Sequence, residues 1–160
     1  MPVIKCKQSG TSLIEVLVTL FVMAVGLLGL ASMQMISTKN INNSQFRSLA
    51  TDYAYDMAER MRANRAGVEA GNYTNLSTSG ATATTCNSCT ISQIALLDQY
   101  EWSQAITQGV ISGGLPSGSG AVSGSVATGR YDISLQWNEQ GRDDSGGTLD
   151  NTTFTLSIQL

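Results

Sequence analysis

Hydrophobic positions along this chain fall into three regimes. From Leu13 to Met33 they are nearly continuous, in the run LIEVLVTLFVMAVGLLGLASM, and Glu15 is the single charged residue there. At about 1.5 Å per residue such a helix spans about 30 Å, the thickness of a bilayer's hydrocarbon core. Beyond the polar stretch Ser37 to Ser44, the residues Phe46, Leu49, Ala50, Tyr53, Ala54, Met57, Ala58 and Met61 recur at i, i+3, i+4, i+7, the spacing of a helix with one apolar stripe. Near the end of the chain the period drops to two. Tyr131, Ile133, Leu135 and Trp137 alternate with polar residues, as do Phe154, Leu156, Ile158 and Leu160, which predicts two half-buried strands.

The first two regimes predict one continuous helix from Thr11 to about Asn64, on the order of 80 Å long, with its first half outside any globular core. Gly26 and Gly29 weaken a helix by up to about 1 kcal/mol each, so either local stretching or close helix packing is expected there. Arg47, Asp52, Asp56, Glu59, Arg60 and Arg62 occupy much of the remaining surface of the second half. Asp56 and Arg60 stand four apart, as a helical ion pair requires. These charges read as a solvated or subunit-facing surface.

The remainder reads as a small α+β head. Gly67 to Thr85 is rich in Gly, Ser, Thr and Asn and predicts a loop. Ile91 to Gln108 predicts a short helix through Ile94, Leu97, Tyr100 and Ile106, and Gly109 to Gly120 breaks it. Ala121 to Ala127 adds a glycine-weakened strand, completing a small antiparallel sheet packed on the long helix, while Gly141 to Gly147 is a turn-rich loop. Trp102, Tyr131 and Trp137 are expected in the core or on strand faces. With 160 residues, the chain holds one head of about a hundred residues and one anchor. The predicted segments are 1–10, a leader; 11–33, the apolar helix; 34–66, its amphipathic continuation; and 67–160, the head.

Charge orients these parts. Lys5 and Lys7 precede the apolar run, and the next basic residue is Lys39, so the positive-inside rule keeps the leader cytoplasmic and sends the head across the membrane. A secretory signal is cut after its apolar segment, which is thereby lost. Here the candidate site, Gly10-Thr11, lies before that segment, so cutting after Gly10 leaves the apolar helix as the mature N-terminus with Glu15 fifth. Removal of the leader leaves seven basic against twelve acidic residues, a net of −5 where the whole chain has −3. An acidic chain without a basic stripe argues against nucleic-acid binding. Glu15 itself costs a few kcal/mol inside a membrane unless it is paired or neutralised, which marks it as a functional candidate; the alternative is a carboxyl that snorkels to the surface or is protonated.

Three cysteines are present, and Cys6 falls in the leader. Cys86 and Cys89 remain, in the CxxC spacing of a disulfide, a redox couple or half of a zinc site. Zinc is disfavoured because the chain has no His and no second cysteine pair. A thiol oxidoreductase is disfavoured because the pair follows a Ser/Thr/Gly-rich loop and not the strand-to-helix turn of a βαβ unit. A structural disulfide in the oxidising compartment is the favoured reading. Asp143, Asp144 and Asp150 are candidate calcium ligands, but they lack the EF-hand pattern, and no metal or cofactor is expected. With no His for a triad and no phosphate-binding glycine loop, an enzyme is not expected either.

The stretch KQSGTSLIEVLVTL resembles the class III signal of type IV prepilins and pseudopilins. That resemblance implies cleavage after Gly10 by prepilin peptidase, N-methylation of Thr11, and pairing of Glu15 with the Thr11 amine of a neighbouring subunit during assembly. Thr11 departs from the Phe with which most such mature chains begin. Adding VGLLGLASMQ, the segment YDMAERMRAN, the Cys pair, DQYEW and the Gly-rich loop before Tyr131, the chain resembles the PilV family of minor pilins. This implies a pilin fold and a minor pilin that primes type IV pilus assembly near the tip, in support of adhesion and twitching motility. Its implied partners are prepilin peptidase, other minor pilins and the major pilin, a PilY-type tip adhesin, the inner-membrane assembly machinery and membrane lipid. It implies an inner-membrane protein with a periplasmic head before assembly and a pilus subunit afterwards. Two alternatives stand beside it: a minor pseudopilin of type II secretion, and a membrane-anchored periplasmic redox protein using Cys86 and Cys89.

Overall fold

The structure, a computed structural model, describes residues 10, 12–141 and 149–160. Helix α1 covers Leu13–Ala63, and the chain divides into two compact units, Met1–Ile41 and Asn42–Leu160. In the first unit the described residues from Ser12 to Ile36 are all exposed, including the whole apolar run. An 18-residue window of this part has a mean hydropathy of 2.5, so it is long and apolar enough to cross a membrane. The helix runs unbroken through Gly26 and Gly29, without the stretching that was one expectation. It also runs through Ser37 to Ser44, where propensity is poor. There the Thr38 hydroxyl donates to the Gln34 carbonyl at 2.9 Å, satisfying itself within the helix instead of competing with it.

The second unit is α+β with a pilin-like arrangement, as expected. The amphipathic part of α1 leads into helix α2, Arg65–Glu69, and helix α3 covers Ile91–Thr107. Four strands, β1 Asn75–Ser77, β2 Ser119–Ser125, β3 Arg130–Gln140 and β4 Leu149–Gln159, form one antiparallel sheet in the order β1-β2-β3-β4. Ala50, Ala54, Met57, Ala58 and Met61 of α1 share one core with Trp102 and Ile106 of α3 and with Val122, Tyr131, Ile133, Leu135 and Trp137 of the sheet. The predicted helical stripe and the period-two strands therefore meet in that core. The three aromatic residues assigned to it are buried, at 2% exposure or less.

Local chemistry explains the element ends. Thr90 and Gln93 form a capping box that starts α3: the Gln93 amide donates to the Thr90 hydroxyl, and the Thr90 amide donates to the Gln93 side chain. The short helix α2 begins where the Asn64 side-chain oxygen accepts from the Gly67 amide. Neither α2 nor β1 is visible in the hydrophobic pattern, and both arise within or beside the segment expected to be loop. The glycines of β2 turn out to serve packing. A Cβ at Gly120 would collide with the Trp102 ring and one at Gly124 with the Tyr131 ring, so the missing side chains admit two core aromatics.

Candidate functional site

The N-terminal junction is the first candidate. Gly10 is exposed, and Thr11 lies outside the described residues, as does the leader segment 1–9. The Ser12 carbonyl accepts from the amides of Glu15 and Val16 at 3.0 and 3.3 Å, so helical bonding begins one residue past the candidate cleavage point. Glu15 thereby sits in the first helical turn. The partial positive charge of unsatisfied amides at a helix start favours a carboxylate in that turn. Its spacing from Ser12, S-x-x-E, is that of N-terminal capping residues, a signal independent of the membrane argument. Gly10 and Ser12 are exposed, and the large apolar side chains from Leu13 to Ile36 are free for lipid or neighbouring helices.

Cys86 and Cys89 form the second candidate. They are joined as a disulfide with Cα atoms 5.5 Å apart, closing a small ring in the segment that leads to Thr90 and α3. Both are partly exposed. Among the described residues no group of three or more His, Cys, Asp or Glu is placed to hold a metal. Asp143 and Asp144 lie outside the described residues; Asp150 is exposed at the start of β4, in register with Glu139.

A third cluster was not anticipated. Arg60 reaches Asp56 at 2.9 Å, as its i to i+4 spacing predicts, and also Asp98 at 3.3 Å and Glu101 at 2.7 Å on α3. Asp98 accepts from the Tyr73 hydroxyl at 2.5 Å, and the Asn64 side-chain Nδ2 donates to the Tyr73 hydroxyl at 3.0 Å and to the Ile91 carbonyl at 2.8 Å. Burial works against the Arg60 charge, but its hydrogen bonds to Glu101, Asp56 and Asp98 outweigh that and raise its pKa. Burial and the adjacent Asp98 carboxylate push the Tyr73 hydroxyl up as well. Arg47 in turn grips Glu139 with two hydrogen bonds at 2.9 and 2.8 Å, and the Trp137 indole donates to the same carboxylate at 3.2 Å. These bonds hold the Glu139 carboxyl below the usual carboxylate range despite its burial. Thus Arg47 and Arg60, assigned from sequence to the outer charged surface, fasten α1 to β3 and α3. The partners on β3 and α3 lie 92 residues from Arg47 and 38 and 41 residues from Arg60, beyond the reach of any local pattern. Every buried polar side chain among the described residues has a hydrogen-bond partner, so the cluster is a closed structural network and not an open reactive site.

Residues 5–31 match the family model described as the prokaryotic N-terminal methylation motif. The match covers Gly10, Thr11 and Glu15 together with most of the apolar run. No curated protein and no solved structure matches the chain. The motif supports a type IV pilin or pseudopilin of a pilus or secretion system, and implies processing by prepilin peptidase and assembly with other pilins. The long apolar N-terminal helix and the small antiparallel sheet agree with that class, in a membrane-anchored form.

Proposed function

We propose that this chain is a minor pilin of the PilV type, cut after Gly10 and methylated on Thr11. In this reading it joins other minor pilins in a complex that primes type IV pilus assembly near the tip, with a PilY-type adhesin as neighbour. The observation that carries the reading is the junction: a prepilin-type motif over residues 5–31, with its glutamate in the first turn of an exposed apolar helix. Glu15 is stabilised by its own helix start in the free subunit and pairs with the Thr11 amine of an adjacent subunit on assembly, which selects one axial stagger between helices. No enzymatic step is assigned, and the Cys86–Cys89 ring serves the structure of the head.

Mass spectrometry of the native product tests the processing step. The expected N-terminus is methylated Thr11; a native product that keeps Met1, or begins beyond Met33, overturns the reading. Deletion of the gene separates the two filament systems. Loss of surface pili and twitching with secretion intact supports the minor pilin, and loss of secretion with pili intact identifies a type II pseudopilin, which bears the same motif.

A further inference from the structure

Contacts within the head locate the end at which the chain enters it, at Asn42 and Asn43. The Asn43 side chain makes two hydrogen bonds to the main chain of Gln140, at 3.1 and 3.4 Å, and Gln140 pairs with Leu149. Helix α3 runs toward the same end. The carbonyl of Ile91, at its start, accepts from Asn64, whereas the Trp102 indole, farther along, donates to the Tyr53 carbonyl. The loop that follows α3 emerges there too, and its Pro116 carbonyl accepts from the Asn138 amide, two residues before Gln140. In that loop a one-turn helix, Val110–Ser112, holds out Val110 at 48% and Ile111 at 104% exposure, and Leu149 on the edge strand is 62% exposed. No charge lies anywhere from Trp102 to Gly129. Arg47 and Glu139, the ion pair at this end, neutralise each other. Residues 142–148, between β3 and β4, lie outside the described residues.

We propose that Val110 and Ile111, together with Leu149, dip into the surface of the bilayer that the chain's own apolar segment crosses, so that the unassembled head rests on lipid. Chain length selects this occupant. Only residues 37–42 separate Ile36, the last large apolar residue of the continuous run, from Asn43, and even fully extended they reach at most about 25 Å. This end of the head therefore stays close to lipid whatever its orientation. The apolar residues also suit a fluid surface better than a shaped partner: they stand on a loop and on an edge strand with β3 between β2 and β4, and lipid needs no shape complementarity. An uncharged loop approaches the bilayer without desolvating an ion. So few aliphatic side chains would not hold a free protein to a membrane, but the anchor makes the contact intramolecular, and a weak interaction then suffices. The contact requires only that the first unit lie in a bilayer; whether the chain serves a pilus or a secretion filament does not enter.

The test uses the full chain in a Cys6→Ser background, reconstituted into phosphatidylcholine vesicles at a high lipid-to-protein ratio. Ile111→Cys, Leu149→Cys or Val126→Cys is labelled with the environment-sensitive dye NBD, while Cys86 and Cys89 stay tied in their disulfide. Val126 is the control: an aliphatic residue at 46% exposure in the turn between β2 and β3, at the opposite end of the sheet. Dye at 111 and 149 should be about threefold brighter than dye at 126, because lipid replaces water around it. Phospholipid with a nitroxide on its headgroup should quench about half of that emission and leave position 126 unchanged. Adding Val110→Asp and Ile111→Asp, at exposed positions outside the core, should lower the signal at 149 about twofold. Flotation with the vesicles reports the anchor separately. Emission at 111 no brighter than at 126, bright emission that the nitroxide lipid does not quench, as contact with protein would give, or a signal at 149 indifferent to the double substitution overturns the proposal. A chain that does not float overturns the anchoring along with it.

Discussion

The first unit of this protein and its head use hydrophobic residues in opposite ways. In the head, Met57, Trp102, Ile133 and Leu135 are wholly withdrawn from solvent by other parts of the same unit. Between Leu13 and Ile36 the helix leaves its leucines, valines and methionines at 47% exposure or more. At about 25 cal/mol per Å² of apolar surface, that exposure in water is unsustainable, so the partners of this segment are lipid and other chains. One unit is written for itself and the other for its surroundings. Substitutions in the head should thus act on stability, and substitutions in the first unit on processing and assembly.

The sharpest break in that contrast comes at the junction. Gly10→Val should abolish leader removal, because a branched side chain must then fit beside the scissile bond, while the head keeps its melting temperature; normal processing by mass spectrometry would contradict this. Glu15→Ala should insert into the membrane at least as well as the parent, yet be depleted from sheared filaments. Equal recovery would remove its pairing role. Within the head, Trp102→Ala should cost about 3–5 kcal/mol by emptying the core and freeing the bond from its indole to the Tyr53 carbonyl, read by denaturant unfolding. Arg47→Ala should cost less, about 1–2 kcal/mol at pH 7, since Arg47 is largely exposed while Glu139 is left buried without its cation. Because the folded-state pKa of Glu139 is depressed, the stabilisation is complete above the ordinary carboxylate pKa of about 4.3 and is lost as pH falls through the folded value. The deficit of Arg47→Ala should therefore shrink on acidification below about pH 4.3, and a deficit constant with pH would discount the pair. An effect no larger than about 2 kcal/mol is expected from Cys86→Ser with Cys89→Ser, because so small a ring constrains the unfolded chain little. Loss of pilus function in that variant without loss of folding would favour the redox alternative.

Legibility in the sequence followed the range of the interactions. The N-terminal motif could be read because it is a recognition signal laid out contiguously. The long strands and α3 could be read because their periods extend over many residues. β1 could not, since three residues, Asn75-Leu76-Ser77, contain no period at all, and its pairing with β2 is decided by residues more than forty positions away. The buried Asp98, Gln99 and Glu139 were equally hidden. Asp98 and Glu139 are tolerable only beside Arg60 and Arg47, and Gln99 donates to the carbonyl of Ser77 at 2.8 Å, a contact that exists only once the head is folded. The glycines of β2 were legible as a weakness but not as an accommodation, because the rings they admit come from other elements.

Trp102 and Gly120 occupy what is in effect a single volume shared between two distant positions. Enlarging the residue at 120 is tolerable only if the one at 102 contracts, so the two sites are expected to drift together, in opposite directions of size, wherever descendants of this gene have diverged.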